Sequence, residues 1–316
     1  MLKNRKSTFG NPEPPVWIIA GATASGKSAL ALEMARRFDA EIISADSMQL
    51  YRHLDIGTAK PTAEEMRQVR HHLVDVFEID EPVTVSRYRE LALAAVAEIR
   101  ARGKKIIICG GSGLYLKTLL RGMDDLPADR ELRERIEKEF PEIPAARGKL
   151  LQLDPAAGKL PASLSLRRLQ RLLEITMLTG SLPAPERGFR EQAFPAVMWY
   201  LRWEREELKR RIARRTDAML AAGWVEETRR LLRMGLADAP TARQALGYPV
   251  IAGFLAGKLT AGQLRDTLVT RTWQFARRQM TWFAHQHPEA IVIPMPLDTA
   301  AVTGWAELSG EGGSHA

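Results

Sequence analysis

The chain has 316 residues, of which 45% are hydrophobic and 27% are charged, so it can bury a core and is not intrinsically disordered. Lys and Arg number 46 against 38 Asp and Glu, and the net charge of +8 suggests a polyanionic partner. The whole excess lies between positions 201 and 283, which hold 16 basic and 8 acidic residues. On charge alone, a solvated helical surface remains the alternative explanation.

Cys109 is the only cysteine, which excludes an intramolecular disulfide and a cysteine zinc site. No apolar run reaches the about 20 residues that span a bilayer. The basic N-terminal stretch also lacks the apolar segment of a signal peptide. We therefore expect a cytoplasmic protein with no membrane contact, and we expect flexible termini at residues 1–13 and 301–316.

Short apolar strands alternate with helices in the first part of the chain. We predict strands at Val16–Ala20, Glu41–Ala45 and Lys105–Cys109, with helices at Ala29–Phe38 and Arg87–Arg102. This alternation is typical of a parallel sheet with helical crossovers. The sequence thus predicts an α/β class.

The pattern changes after Gly122. We predict helices at Asp129–Phe140 and Leu164–Leu178, separated by a stretch, Pro141–Pro161, that Pro and Gly break. A strand at Ala196–Trp203 and a mainly helical region follow. The sequence thus predicts a P-loop NTPase-like core in two parts, residues 14–122 and 196–300, interrupted by a helical insertion domain at 123–195. The second part of the core carries the basic helical region.

A phosphate-binding motif follows the first predicted strand. The run Gly21-Ala-Thr-Ala-Ser-Gly26-Lys27-Ser28 fits G-x-x-x-x-G-K-[ST] and leads into a helix. Its backbone amides can converge on phosphate oxygens, Lys27 supplies a cation, and Ser28 supplies a hydroxyl for Mg²⁺. The motif predicts a di- or triphosphate ligand without naming it.

The acid that would support nucleotide hydrolysis is missing from the third predicted strand. That strand ends in Gly110-Gly111-Ser112-Gly113, a second phosphate-friendly turn, so a leaving diphosphate fits better than a split γ-phosphate. Asp46 is the acid at a strand end. Its carboxylate could ligate magnesium, cap a following helix or act as a general base.

Taken together, several motifs resemble those of the tRNA dimethylallyltransferases, also called tRNA isopentenyltransferases. The resemblance spans Val16 to Phe283 in the family's order and spacing. The motifs are GATASGKS from Gly21, DSMQLY from Asp46, DIGTAKP from Asp55, GGSGLY from Gly110, Asp154-Pro155, RRLQRLLEI from Arg167, Gly223–Arg229, RQALGY from Arg243 and RTWQFARRQMTWF from Arg271.

The resemblance implies transfer of a dimethylallyl group from dimethylallyl diphosphate to N6 of the adenosine 3′ to the anticodon of tRNA, nucleotide 37. It implies Mg²⁺ as cofactor, the tRNA anticodon stem-loop as partner, and a monomer. Two departures stand out. The IHPND-like run of many members is replaced here by Leu160–Ser165, and Ala284 stands where a basic residue often follows TWF.

Site residues are carried over by position. The resemblance implies Asp46 as general base, Ser112 (in place of the family's Thr) behind the leaving oxygen, and Arg133 as a further catalytic-site residue. It implies diphosphate binding by Gly21, Ala22, Thr23, Ala24, Ser25, Gly26, Lys27, Ser28 and Arg229, with Ser28 on Mg²⁺. It implies tRNA binding by Asp46, Ser47, Met48, Gln49, Arg167, Arg168, Leu169, Gln170, Arg171, Gln244, Gly247 and Tyr248.

Three other functions remain open at this point. A small-molecule kinase could use the same phosphate loop, with Asp46 orienting an acceptor hydroxyl. A prenyltransferase acting on free AMP would share the donor site but would not need the basic C-terminal region. A non-enzymatic RNA-binding module would not need the donor motifs.

Overall fold

A computed structural model describes residues 14–122, 126–183 and 193–297. The flexible termini expected at 1–13 and 301–316 lie outside the described residues. Contacts divide the chain into two compact units, one formed by Met1–Leu120 with Gln192–Ala316 and the other by Arg121–Glu191. The second unit overlaps the expected insertion domain, and the predicted boundaries of the three segments stay a prediction.

The first unit is built on a parallel sheet, which confirms the predicted α/β class. Its described strands lie in the order β3-β2-β4-β1-β5-β6, and neighbouring strands are parallel throughout. In chain order they are β1 (Val16–Gly21), β2 (Ala40–Ser44), β3 (His71–His72), β4 (Lys105–Gly110), β5 (Ala196–Arg202) and β6 (Ile291–Pro294). Strands β1 and β2 are buried at every residue, as expected where helices cover both faces.

The helices fill the connections between the strands and form the insertion. In chain order they are α1 (Lys27–Arg37), α2 (Ala63–Gln68), α3 (Val85–Ala101), α4 (Gly113–Arg121), α5 (Arg130–Glu139), α6 (Ile143–Leu153), α7 (Leu166–Thr179), α8 (Arg205–Ala221), α9 (Trp224–Arg233), α10 (Tyr248–Leu255) and α11 (Ala261–Gln286). None of the helices in the described ranges is long and apolar enough to cross a membrane.

Two apolar cores cover the two faces of the sheet. One contains Ile18 and Ile108 with Tyr88 and Tyr248, and the other contains Met34. Because side chains alternate along a strand, consecutive residues of β1 and β4 enter opposite cores. The segments that follow β1, β2 and β4 lie together at the carboxyl ends of these strands.

The second unit has its own core and corrects one prediction. The stretch Pro141–Pro161, predicted to be broken, contains helix α6 and a 3₁₀ helix at Pro155–Lys159. Pro144 is tolerated because it stands in the first turn of α6, where its missing N–H leaves no hydrogen bond unmade. Buried Ala146 and Leu150 of α6 then pack in the core of this unit.

Candidate active site

The phosphate loop lies between β1 and α1, in the strand–loop–helix context that the sequence predicts. Strand β1 ends at Gly21 and α1 begins at Lys27. Gly26 precedes the helix with φ +92°, a left-handed conformation that L side chains rarely adopt. The first amides of α1 have no partner within the helix and carry the positive end of its dipole. This geometry suits an anion.

Side chains from distant parts of the chain donate hydrogen bonds to carbonyl groups of the loop. The Trp203 indole donates to the Ser25 carbonyl at 2.8 Å, and Arg211 Nε donates to the Ala24 carbonyl at 2.9 Å. Arg211 also stacks on the Trp203 ring at 4.3 Å. The buried Ser25 hydroxyl has no hydrogen-bond partner among the described residues. These contacts from residues far along the chain therefore fix the loop backbone.

A polar cavity opens beside the loop at the carboxyl ends of β2 and β4. It is lined by Thr23, Lys27, Ser28, Ala31, Ile42, Ser44, Asp46, Gln49, Thr58, Ala59, Pro61, His71, Cys109, Gly110 and Arg215. Two of these residues, Lys27 and Arg215, are cationic, and one, Asp46, is acidic. The cavity thus brings the predicted phosphate-binding lysine and the predicted general base to one place.

Burial lowers the pKa of both cationic side chains in the cavity. It lowers the pKa of Lys27, and the nearby Arg215 lowers it further, although Cys109 and Asp46 act in the opposite direction. Burial likewise lowers the pKa of Arg215 to about 10, so its guanidinium stays charged at neutral pH. Arg215 donates to the Thr23 hydroxyl. Two cations short of counter-charge favour a doubly or triply negative ligand.

The turn after β4 packs directly against the segment after β2. A Cβ on Gly110 would lie 2.2 Å from the Ala45 carbonyl oxygen, so only glycine allows this approach. The Ser112 amide donates to the Ala45 carbonyl at 3.2 Å, and the Ser112 hydroxyl accepts from the Ser47 amide at 3.3 Å. The predicted catalytic Ser112 therefore lies next to the Asp46 segment.

Asp46 adopts a turn rather than a helix cap. Its Oδ1 accepts from the Met48 amide at 2.9 Å, and residues 47–50 form a turn that no helix continues. Capping of a following helix is thus not what holds this carboxylate. Hydrogen bonds hold both ends of the Gln49 side-chain amide. Its Oε1 accepts from the Ser44 hydroxyl, and its Nε2 donates to the Thr58 and Ala59 carbonyls.

The residues expected to bind tRNA in the RQALGY segment take different positions. Tyr248 is buried, and its hydroxyl donates to Glu227 at 2.7 Å. Gly247 has φ +93°, and a Cβ there would lie 2.3 Å from the Trp224 ring. Both residues pack inside the protein. Gln244, in contrast, lies in a 3₁₀ turn, and its side-chain amide donates to the Pro240 carbonyl at 3.4 Å.

Arg229 is not brought to the cavity. It is half-exposed on α9 and pairs with Glu226 at 3.2 Å. Sequence reasoning missed Arg215, which does line the cavity. It also missed Gln279, whose amide accepts from the Thr23 N–H at 2.8 Å and donates to the Gly111 carbonyl at 2.9 Å. The RTWQFARRQMTWF motif contains Gln279 and was the available signal for it.

In the second unit, the predicted arginines surround a buried acid. Arg133 Nη2 lies 3.0 Å from Glu174, and Arg171 Nη1 lies 2.7 Å from it. Glu174 also accepts from the Asp129 amide, and its hydrogen bonds hold its pKa below the usual range against the opposing effect of burial. Leu169 is fully buried, and Gln170 donates to the Phe140 carbonyl. Arg167 and Arg168 are exposed on the same helix.

The sheet, the loop and the cationic cavity define a P-loop-type α/β protein whose site favours a phosphorylated ligand. A family model described as IPP transferase matches residues 49–286. The chain belongs to the IPP transferase family and is a transferase.

Relatives match over most of the chain. A tRNA dimethylallyltransferase 1 from Trichlorobacter lovleyi is 42% identical over 92% of this chain and 97% of its own. A tRNA dimethylallyltransferase from Salinispora tropica is 43% identical over 84% of each chain. The crystal structure of a full-length tRNA isopentenylpyrophosphate transferase from Bacillus halodurans is 33% identical, with a TM-score of 0.71 over 95% of this chain and 98% of that one.

A eukaryotic dimethylallyltransferase, described as acting on tRNA, is also similar in structure. It is 26% identical, with a TM-score of 0.74 over 93% of this chain and 76% of that one. These similarities confirm the family that the motifs indicated and support a tRNA dimethylallyltransferase rather than a kinase or an AMP prenyltransferase.

Proposed function

We propose that this chain transfers a dimethylallyl group from dimethylallyl diphosphate to N6 of the adenosine 3′ to the anticodon, nucleotide 37, of tRNA. The observation that carries the proposal is the cavity in which Lys27 and Arg215 lie with Asp46. It combines cations for a diphosphate with a carboxylate that can take a proton. Relatives named tRNA dimethylallyltransferases support the same reaction.

The donor diphosphate fits the phosphate loop. Backbone amides of Gly21 to Ser28 and the Lys27 ammonium would surround its oxygens. The guanidinium of Arg215 would add charge-assisted hydrogen bonds, which are about twice as strong as neutral ones. These contacts stabilise the diphosphate as it leaves.

In this proposal Asp46 removes a proton from the acceptor. The adenine N6 attacks C1 of the allylic group, and the bond between C1 and the diphosphate oxygen breaks. The electron pair of that bond leaves with the diphosphate, and one N6 proton passes to the Asp46 carboxylate. Because the Asp46 Oδ1 accepts from the Met48 amide, the carboxylate is held in one orientation.

Magnesium fits the oxygen groups of this cavity. Ser28, which lines the cavity, would hold the ion with its hydroxyl, together with the phosphate oxygens of the donor. The described residues contain no cluster of three or more His, Cys, Asp or Glu. A Mg²⁺ ion that takes most of its ligands from substrate phosphates and water needs no such cluster. When bound, Mg²⁺ would neutralise charge on the diphosphate.

The acceptor requires a second set of contacts. The target base of an anticodon loop must leave its stack to reach a buried carboxylate. The basic excess at positions 201–283 and the exposed Arg167 and Arg168 of α7 supply charge that suits an RNA backbone. We infer that the protein binds the anticodon stem-loop through these regions.

One transfer assay tests the proposed function. The protein is incubated with labelled dimethylallyl diphosphate and Mg²⁺, together with tRNA, AMP or no acceptor. We expect label only in tRNA, and nucleoside analysis should then show N6-dimethylallyladenosine. Label in AMP but not in tRNA would reject the proposal, as would labelled tRNA without modified adenosine.

A further inference from the structure

Glu227 is a buried carboxylate outside the cavity. It lies on α9, is 5% exposed, and forms no ion pair with a Lys or Arg among the described residues. A buried carboxylate without a cation is costly unless hydrogen bonds satisfy both oxygens. The neighbouring Glu226 shows the contrast, because it is exposed and pairs with Arg229.

Four neutral donors satisfy the Glu227 carboxylate. Oε2 accepts from the Asp55 amide at 3.2 Å and the Ile56 amide at 2.8 Å. Oε1 accepts from the Gly57 amide at 3.2 Å and from the Tyr248 hydroxyl at 2.7 Å. Three successive backbone N–H groups thus converge on one side chain, an arrangement that binds anions elsewhere in proteins. Here the protein's own carboxylate is the anion.

The loop that Glu227 binds is packed tightly against α9. A Cβ on Gly57 would lie 2.2 Å from Trp224 Nε1, so the loop backbone touches the indole. Two residues further on, Ala59 has φ +51°, a left-handed conformation that is unfavourable for alanine. Such a conformation persists only where surrounding contacts hold it. The Glu227 carboxylate forms three hydrogen bonds between α9 and this loop.

The same loop forms a wall of the active-site cavity. The Thr58 and Ala59 carbonyls accept from Gln49 Nε2 at 3.2 and 3.1 Å. Gln49 Oε1 accepts in turn from the Ser44 hydroxyl at 2.9 Å, at the end of β2 and two residues before Asp46. Thr58, Ala59, Gln49 and Asp46 all line the cavity. Glu227 is therefore linked to the Asp46 segment through the backbone of residues 55–59 and the hydrogen bonds of the Gln49 side chain.

We propose that Glu227 is a positioning residue that anchors the backbone of residues 55–57 and thereby fixes the cavity wall beside Asp46. The inference rests on the proposed function, because it assumes that the acceptor meets Asp46 in this cavity. Glu227 does not touch the diphosphate-binding groups. Its loss should therefore slow the chemical step without weakening diphosphate binding. A misplacement of about 1 Å can cost about 100-fold in rate.

The variant Glu227→Gln changes the anchor with little change in size. A carboxamide offers one acceptor oxygen and turns an NH₂ group towards donors, so part of the set of three amides and one hydroxyl is left unmatched. The matched control is Glu226→Gln, the same substitution one position away on the exposed side of α9.

Three measurements are made on the full chain. Hydrogen exchange follows the amides of residues 55–57, calorimetry follows inorganic pyrophosphate with Mg²⁺, and single-turnover transfer is followed at saturating tRNA and donor. For Glu227→Gln we expect faster exchange at residues 55–57, a single-turnover rate about 10- to 100-fold lower, and an unchanged pyrophosphate Kd. The Glu226→Gln control should stay within a few-fold of wild type in rate.

An unchanged rate in Glu227→Gln, or a parallel loss of pyrophosphate affinity, would overturn the proposal. If that variant does not fold, Glu227→Asp keeps the charge but shortens the side chain by one methylene, and the same results are required of it. Absence of transfer by the wild-type chain would instead reject the proposed function. Exchange at residues 55–57 would still report on the anchor.

Discussion

Replacing Arg215 by Gln should weaken diphosphate binding without lowering the stability of the free protein. The guanidinium lies in the cavity with Lys27, and burial lowers its pKa, which means that the folded chain holds this charge at a cost. Without a diphosphate, its removal relieves burial and repulsion from Lys27. We therefore expect the free variant to be at least as stable as wild type to thermal unfolding.

With a diphosphate the effect should reverse. A hydrogen bond to a charged group contributes about 1.5–3 kcal/mol. Loss of one such bond from Arg215 should therefore raise the Kd for pyrophosphate about 10- to 150-fold. The Thr23 hydroxyl, which now accepts from Arg215, would also lose its partner. We therefore expect pyrophosphate to raise the unfolding temperature of Arg215→Gln less than that of wild type. Without ligand, the unfolding temperature of the variant should be no lower than that of wild type.

Calorimetry with pyrophosphate and Mg²⁺, and thermal unfolding with and without ligand, check this prediction. Arg210→Gln is a matched control, since Arg210 lies on the same helix, is exposed, and pairs with Glu207 at 2.8 Å. Wild-type pyrophosphate affinity in Arg215→Gln would refute the reasoning. If Arg229→Gln lost affinity instead, the sequence-based prediction for the diphosphate would be right and the cavity assignment wrong.

Three further predictions concern other residues. Asp46→Asn keeps an oxygen for the turn hydrogen bond but removes the base. The rate of single-turnover transfer should therefore fall about 100-fold or more, while tRNA binding persists in a filter assay. An unchanged rate would exclude Asp46 as general base. Burial raises the pKa of the Glu41 carboxyl, but hydrogen bonds from Arg102 and His72 outweigh it and hold the pKa at about 2, against an ordinary 4.5. That stabilisation is present above pH 4.5 and is lost as the pH falls towards 2. Urea unfolding should therefore show Glu41→Gln less stable than wild type at pH 7, with a difference that shrinks below pH 4.5; a constant difference would contradict the coupling. Arg168→Gln should weaken tRNA binding and flatten its salt dependence by about 0.7–0.9 in log–log slope, and an unaltered slope would mean that Arg168 contacts no phosphate.

The sequence predicted the strands that are apolar on both faces and missed the short or polar ones. Strands β1, β2, β4 and β5 were predicted because their apolar runs are bounded by turns. Strand β3 is two histidines and carries no apolar signal, whereas the apolar run of β6 is only three residues long before Pro294 and is too short to stand out. Helix α6 was missed because Pro144 and Gly148 suggest a break, although a first-turn proline and one glycine are tolerated.

The candidate site was predictable where residues are consecutive. The phosphate loop and Asp46 are short motifs at strand ends, and both line or adjoin the cavity. Arg215 was not predictable, because several arginines follow one another on α8 and only the packing decides which one faces inward. Tyr248, for which the resemblance implies tRNA binding, is buried and donates to Glu227, a contact that its motif position does not reveal.

Gln279 links two turns of the candidate site from α11, a helix that lies far along the chain from both of them. Its single amide joins the phosphate loop, which is synthesised first, to the turn after β4, and it does so from a helix that is synthesised last. A chain emerging from the ribosome therefore has its phosphate loop long before the side chain that fastens it. A product truncated before α11 would lack both this fastening and the helix that carries it. A chain that ends before α11 therefore cannot form the two hydrogen bonds by which Gln279 joins the phosphate loop to the turn after β4.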